Sequence, residues 1–393
     1  MEDGIMLHIS ESEENELKDT KRYLHQHPEI SMKEYKTTEF LKEKLISLGI
    51  ELQDMGMDTG VVGILRTGKS GPVVGLRADI DAIKCHEMAD VKDKSLIEGL
   101  MHACGHDFHT TALLGAAKVL SNMKDKLSGD VVFIFQPAEE TTSGAAELIK
   151  HGLFDKIKID YIFGLHNRPE IETGKVAVKK GSLMAAKDNF TIVLRGVGGH
   201  GGMPHLTIDP IVCGANIINS VQTIVSRNVD PLDAVVVSIC SIHGGTPENL
   251  IVDEIVMTGS IRALSNKGRD TAKKRLEAIV ENTALTYGCK ASLSYDGDVP
   301  LLHNSEKMYH LAYEAAKRAM GKESVVGTEP CLGSEDFAVY SKFVPTFFYW
   351  LGVGKEEGSA PWHNAYFATD DNALKSGALL LAESVIVAQE QNK

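Results

Sequence analysis

Cys104 and His106 stand two residues apart in Met-His-Ala-Cys-Gly-His-Asp at 101–107, with His102 and His109 beside them. On an extended backbone, residues at i and i+2 project to the same side. A thiolate and an imidazole so placed form half of a site for a borderline-soft divalent ion. Candidates for the other half follow apolar, strand-like runs. Glu139 and Glu140 come after 131–135, His166 comes after 161–165, and His363 lies in a late loop at 360–364. Metal-assisted hydrolysis needs one carboxylate on the ion and another that moves a proton from water to the leaving nitrogen. The adjacent pair Glu139-Glu140 can divide those roles. Adjacent acids also suit a helix start, and a lone cysteine is often a small buried hydrophobe. A nucleophilic Cys104 paired with a histidine leaves both glutamates and the two distant histidines idle.

Further polar residues occupy positions where chemistry and structure compete. His200 sits in Gly198-Gly-His-Gly-Gly202, either an incidental loop residue or a donor for a developing oxyanion. Arg262 ends a strand-like run and can clamp a carboxylate with its planar fork. Asn249 follows Gly244-Gly245 and reads as turn chemistry or a substrate contact. Asp79 and Asp81 lie in Arg77-Ala-Asp-Ile-Asp81; the alternatives are turn capping and orientation of a ligand histidine.

The elements that must position these residues alternate. The pattern predicts helix over 11–48 with a break at His27-Pro28. It predicts short strands at 61–65 and 73–77 across a glycine-rich turn, and a buried helix at 110–120. Strand 131–135, helix 145–151 and strand 161–165 continue a βαβ rhythm, so we expect an α/β, mostly parallel-sheet catalytic domain. From about residue 183 the order changes. Strand 190–194, helix 208–226, strands 234–239 and 255–261, helix 267–286 and strand 291–295 follow the split βαβ, ferredoxin-like pattern. We read 183–297 as an inserted α+β domain, with 1–182 and 298–393 forming the catalytic domain. Helix 305–320, strand 347–351 and helix 370–390 return to the first layout.

Bulk properties narrow the function. A length of 393 residues, 43% of them hydrophobic, is enough for two cored domains. No apolar run reaches 18 residues, so no membrane partner is expected. The acidic start (Glu2, Asp3, Glu11, Glu13, Glu14) lacks the pattern of a secretory signal. The six cysteines have no framework spacing, as in a reducing, cytoplasmic setting. A net charge of −13 without a basic stripe argues against nucleic acid.

The chain resembles the aminoacylase/carboxypeptidase superfamily of two-metal amidohydrolases, nearest the branch of auxin-conjugate hydrolases, hippurate hydrolases and N-acetyl-diaminopimelate deacetylases. The resemblance rests on Leu24-His-Gln-His-Pro-Glu29, Leu76-Arg-Ala-Asp-Ile-Asp-Ala82 and the 101–107 segment, then on Gln136-Pro-Ala-Glu-Glu140, Gly164-Leu-His166 and Gly199-His-Gly-Gly-Met-Pro-His205. Asp209-Pro210, Gly333-Ser-Glu-Asp-Phe337 and His363-Asn364 complete it. It implies that Cys104 bridges two divalent ions (Zn, Mn, Co or Ni), with His106, Glu140, His166 and His363 completing the coordination. It implies Glu139 as general base and acid, and His200 as the oxyanion donor, reaching the neighbouring subunit's metal site. Asn249 and Arg262 would contact the substrate carboxylate, and Asp79 would support a ligand. The inserted domain would be lid and dimerisation surface in a homodimer or homotetramer. A strand paired with a second copy hides its edge. The implied reaction is hydrolysis of the amide bond of an N-acyl amino acid or small peptide by a metal-activated water. An aminopeptidase- or carboxypeptidase-type dipeptide hydrolase and a catalytically silent relative are the alternatives. The chain departs from the family at Ile83-Lys-Cys-His-Glu87, where Leu-Pro-Ile is usual, and at Leu250-Ile-Val-Asp253. Neither departure touches an expected ligand.

Overall fold

The computed structural model describes residues 7–245, 248–355 and 358–391; the acidic residues Glu2 and Asp3 lie outside them. The chain divides into two units. The first holds the described residues up to Gly181, His303–Glu329, and the chain from Asp336 onward; the second holds Ser182–Leu302 and Pro330–Glu335. The expected boundaries left 330–335 with the catalytic part. It joins the second unit because Cys331 bridges Met184 and the Ala185 N–H donates to the Gly333 carbonyl at 2.8 Å.

The apolar runs of the first unit assemble into one eight-stranded sheet. Its order is Glu51–Gln53, Val61–Leu65, Val131–Gln136, Val74–Asp79, Tyr161–Glu172, Thr346–Gly354, Val176–Ala177 and Val325–Val326. The four central strands run parallel. Antiparallel strands flank them. Strands 61–65 and 74–79, joined in sequence by the glycine-rich turn, are separated in the sheet by 131–136. Strands 61–65, 74–79, 131–136 and 346–354 are buried at every position, as strands covered on both faces must be. In-register pairing of Asp79 with Gln136 and of His166 with Trp350 brings the carboxyl ends of these strands together. That edge is where open α/β sheets hold their ligands.

The break expected at His27-Pro28 divides 11–48 into two helices, Glu11–Gln26 and Tyr35–Ser47. A Ser10/Glu13 capping box starts the first, and Pro28 stops it from continuing. Its last turn carries His25 into the interior. There His25 Nδ1 lies 2.8 Å from Asp107 Oδ2, and Nε2 lies 3.1 Å from Glu87 Oε1. Burial alone would lower the His25 pKa, but the two carboxylates hold it up at about 9. Burial opposes Asp107 as well, yet Lys21 and His25 keep its carboxyl far below the usual range. The helix is thereby tied by charge to the segment that carries Cys104 and His106. Glu87, part of a departure from the family pattern, is one end of this tie.

Replacing His25 with alanine leaves two buried carboxylates facing each other. A loss of roughly 3–5 kcal/mol is expected in urea unfolding, the usual cost of breaking a buried ion pair. A raised folded-state pKa stabilises fully below the unfolded value of about 6.5, and that stability is lost as pH rises through about 9. The gap between wild type and variant should therefore narrow above pH 9. A constant gap across that range overturns the charged assignment.

The second unit is a four-stranded antiparallel sheet in the order Val235–His243, Glu254–Ala263, Ala186–Arg195, Lys290–Val299. Strands 186–195 and 254–263 alternate buried and half-buried positions, the signature of one covered face. Helices Pro210–Arg227 and Asn266–Tyr287 share that core. Asp209 and Ser265 cap their starts, and Gly288 at φ 76° ends the second. This is the split βαβ order read from the sequence. Among the described residues, no helix is long and apolar enough to cross a membrane.

Candidate metal centre

Cys104 lies in a turn and His106 opens helix His106–Asn122. The extended backbone expected here is replaced by a left-handed Gly105 at φ 82°. A Cβ on Gly105 would meet Asn167 Nδ2 at 2.5 Å, so glycine serves both the turn and the close approach. Asn167 donates from Nδ2 to the Cys104 carbonyl at 2.6 Å and fixes the turn.

Glu139 and Glu140 lie in a turn after strand 131–136, and one carboxylate shapes it. Asp81 Oδ1 accepts the Glu139 N–H at 3.1 Å, and Oδ2 accepts the Glu140 N–H at 3.0 Å. Asp81 also accepts from His106 Nδ1 at 3.1 Å and from Ser31 Oγ at 2.6 Å. Four donors from three chain segments therefore converge on one side chain. Four non-glycine residues among those described have positive φ: Met32, Ala138, Thr142 and His363, at 55–61°. Met32 follows Ser31, Ala138 and Thr142 bracket the glutamates, and His363 is itself a candidate ligand. Such conformations cost about 1–3 kcal/mol each. Here they are confined to the segments that build the site.

The donor atoms converge in overlapping groups: Cys104 with His106 and His166, Cys104 with Glu140 and His363, and His106 with Glu139 and Glu140. Within each group the atoms lie within 4.8 Å of one another. Cys104 Sγ is 3.4 Å from His166 Nε2. His363 Nε2 is 3.2 Å from Glu140 Oε1, and the His363 N–H donates to the Ala103 carbonyl at 2.8 Å. With Nδ1 of His106 committed to Asp81, its Nε2 is buried without a hydrogen bond, and so is Glu140 Oε1. The two atoms lie 3.9 Å apart, and Glu140 Oε1 faces the His363 ring at 3.2 Å; once His106 and His363 give up their protons, both atoms need a cation between them. A divalent ion satisfies both, so these residues fit a metal.

The electrostatics agree with a cation-binding cradle. His166 donates from Nδ1 to the Asn167 carbonyl at 2.8 Å, leaving Nε2 for a metal. Burial holds His166 well below its ordinary pKa, so it is neutral. Burial also pushes the Cys104 thiol up, which disfavours a free thiolate nucleophile; a bound cation reverses that preference. Hydrogen bonds to Cys104 and Glu140 raise the His363 pKa to about 10. Burial opposes the same change at His106, but Asp79 and Asp81 raise it. Metal entry must displace those protons.

The histidine-rich cluster is less uniform than its sequence. His109 donates from Nδ1 to Asp79 at 2.6 Å, and its Nε2 accepts the Asn167 N–H at 2.9 Å. Both nitrogens are used, so His109 buttresses Asn167, although its ring also lies in a cluster with Asp79 and His106. Among the described residues His102 is in none of the converging groups. Asp79, expected to orient a ligand, hydrogen-bonds His109 and Arg77 and stays 3.7 Å from His106 Nε2. Asp81 does the orienting instead. Behind Asp79 lies a buried network. Arg77 reaches Asp336 at 2.9 Å and Gln136 at 3.0 Å, and Gln136 donates to Asp336 at 2.7 Å. Asp336 lies in a matching segment and Asn167 stands just past another; no further local signal marks either, because their partners lie far away in sequence.

The remaining expected residues belong to the second unit. His200 pairs with Leu250 in a two-stranded ribbon, which brings it beside Asn249. The Gly202 N–H donates to His200 Nδ1 at 3.0 Å, so the neutral ring carries its proton on Nε2. Arg262 lies near the end of strand 254–263 and donates to the Leu332 carbonyl at 2.7 Å.

This arrangement has close relatives. Residues 75–386 match the family described as peptidase family M20/M25/M40. The chain is 39% identical to N-acetyl-L-cysteine deacetylase of Bacillus subtilis, over 94% of this chain and 88% of that one. It is 40% identical to thermostable carboxypeptidase 2 of Saccharolobus solfataricus, over 95% of each. A dinuclear metal-binding peptidase of the M20 family from Bacillus subtilis superposes with a TM-score of 0.86 at 33% identity, covering 97% of this chain and 99% of that one. With sheet, donor set and nearly full-length similarity in agreement, the chain belongs to peptidase family M20/M25/M40 and is a metal-dependent hydrolase of amide bonds.

Proposed function

We propose that this chain hydrolyses N-acyl amino acids or small peptides at a centre of two divalent ions, drawn from Zn, Mn, Co and Ni. The observation that carries this reading is the pair of buried atoms His106 Nε2 and Glu140 Oε1, neither with a hydrogen bond, set among Cys104, His166 and His363. In this reading Cys104, His106, Glu140, His166 and His363 would hold the ions, with Cys104 placed within reach of both groups of donors. When bound, the ions polarise the scissile carbonyl and make water acidic enough to attack at neutral pH. Glu139 takes the proton of the attacking water and passes it to the leaving nitrogen. His200 donates from Nε2 to the oxyanion developing at the neighbouring subunit's metal site, and Asn249 and Arg262 hold the substrate carboxylate. The second unit serves as lid and dimerisation surface. Its edge strand Val235–His243 exposes Val236 and Ile242, which suits pairing with a second copy. A homodimer or homotetramer follows. Six free cysteines support a cytoplasmic setting.

The test uses metal-stripped protein, re-loaded separately with each of the four metals. N-acetyl amino acids, hippurate, indole-acetyl amino acids and dipeptides are then offered. Metal-restored release of amine, greatest for one acyl class, is expected. Two bound ions per chain with no turnover on any amide would instead mark a catalytically silent relative.

A further inference from the structure

His363 differs from the other candidate ligands. It lies on a loop without regular structure, its φ is 61°, and its side chain is 54% exposed. A strained, exposed ligand needs an anchor that the metal itself does not provide. The residue before it supplies one. The Trp362 indole N–H donates to Asn167 Oδ1 at 3.1 Å. Its ring stands edge-on to His166, with centroids 4.8 Å apart. Trp362 therefore touches the ring of one candidate ligand, His166, and that ligand's neighbour Asn167, and is bonded in sequence to a second, His363.

The outer side of this tryptophan is clamped as well. The Arg168 guanidinium carbon lies 4.8 Å from the Trp362 ring centroid and 4.1 Å from that of Trp350. Arg168 is therefore stacked on both rings. Trp350 is fully buried and pairs with His166 across the sheet. Glu170 holds the guanidinium in place through Nε at 2.8 Å. Stacking on desolvated aromatic faces is what a planar guanidinium does better than an ammonium.

We infer that Trp362, clamped by Arg168 against the strand that carries His166, is the positioning residue that sets His363 for metal binding. The inference rests on the two-ion reading given above. Groups that orient metal ligands typically contribute 10–100-fold in metal affinity. Trp362 touches one candidate ligand and is bonded in sequence to a second, so an effect of that size is expected here.

The experiment is calorimetric titration of metal-stripped protein with Co2+, followed by the visible absorption of the bound cobalt. Wild type should take up two ions. Trp362→Ala should bind one ion about 10–100-fold more weakly, with a changed cobalt spectrum and an unchanged far-UV signal. Trp362→Phe keeps the ring stack but loses the indole N–H, and should fall between. Arg168→Ala should shift the same ion in the same direction by less, and it reads the clamp even if Trp362→Ala fails to fold. Variants that match wild type in both affinity and spectrum overturn the anchor while leaving the metal centre standing. A wild-type protein that binds no divalent ion overturns the centre and the anchor together.

Discussion

Glu139→Ala should fold, keep its metal, and lose about 10²–10⁴-fold in turnover, the usual contribution of a positioned general base. The separation of the two effects follows from where Glu139 is held. Its backbone N–H is fixed by Asp81, and alanine leaves that bond intact. Its side chain is 7% exposed, too little for bulk water to replace it freely as a proton carrier. Glu140, next in the chain, is the carboxylate whose buried Oε1 lies 3.2 Å from His363 and 3.9 Å from His106. The two acids are thus distinguished by their surroundings, although they are identical in type. Metal content by elemental analysis and kcat on the best substrate decide the matter. If Glu139→Ala loses metal in proportion to turnover, the roles of 139 and 140 are reversed or shared. Full activity sinks the proton-transfer role altogether.

The parts legible from sequence were those with local signals. Strand 131–136 declares itself by an unbroken apolar run, and Glu139-Glu140 directly after it by residue type. Cys104 and His106 stood out by spacing, although the conformation that joins them did not. Nothing local states that Gly105 must be left-handed. That demand comes from Asn167, more than sixty residues later, packed where a Cβ would sit. His102 and His109 looked equivalent to His106 because spacing alone cannot show which nitrogens are already committed. Both nitrogens of His109 are taken up by Asp79 and Asn167, each distant in sequence. Which strand lies beside 61–65 has no local signal either: 131–136 inserts between it and 74–79, and sheet order is a global property. In the second unit, by contrast, element order alone specifies the split βαβ topology, because right-handed crossovers leave few other arrangements.

Asp81 illustrates what residue type conceals. It stands two positions from Asp79, in the same short motif, and sequence offers no reason to rank one over the other. In the structure Asp79 faces backwards into the Arg77 network, whereas Asp81 collects His106 Nδ1, the N–H groups of both glutamates, and Ser31. Burial opposes its ionisation, but bonds from His106, Ser31 and the turn hold the carboxyl below its ordinary pKa. It is therefore a carboxylate at neutral pH. Asparagine at this position is nearly isosteric but presents a donor where a donor already points. At least one of the four incoming groups loses its acceptor, at about 1–3 kcal/mol for a buried orphan. Because those groups orient a ligand and carry the proton-transfer acid, Asp81→Asn should fail in two ways at once. Metal affinity should fall about 10–100-fold, and kcat at saturating metal should remain depressed at least roughly tenfold, since a small misplacement of a catalytic group is enough for that. This double signature separates Asp81→Asn from Glu139→Ala, which should keep its metal. Titration with metal, followed by kinetics at saturation, reads both arms. If excess metal restores full turnover, Asp81 merely tunes affinity; if affinity and kcat both match wild type, the convergence of four donors on this carboxylate has no functional role.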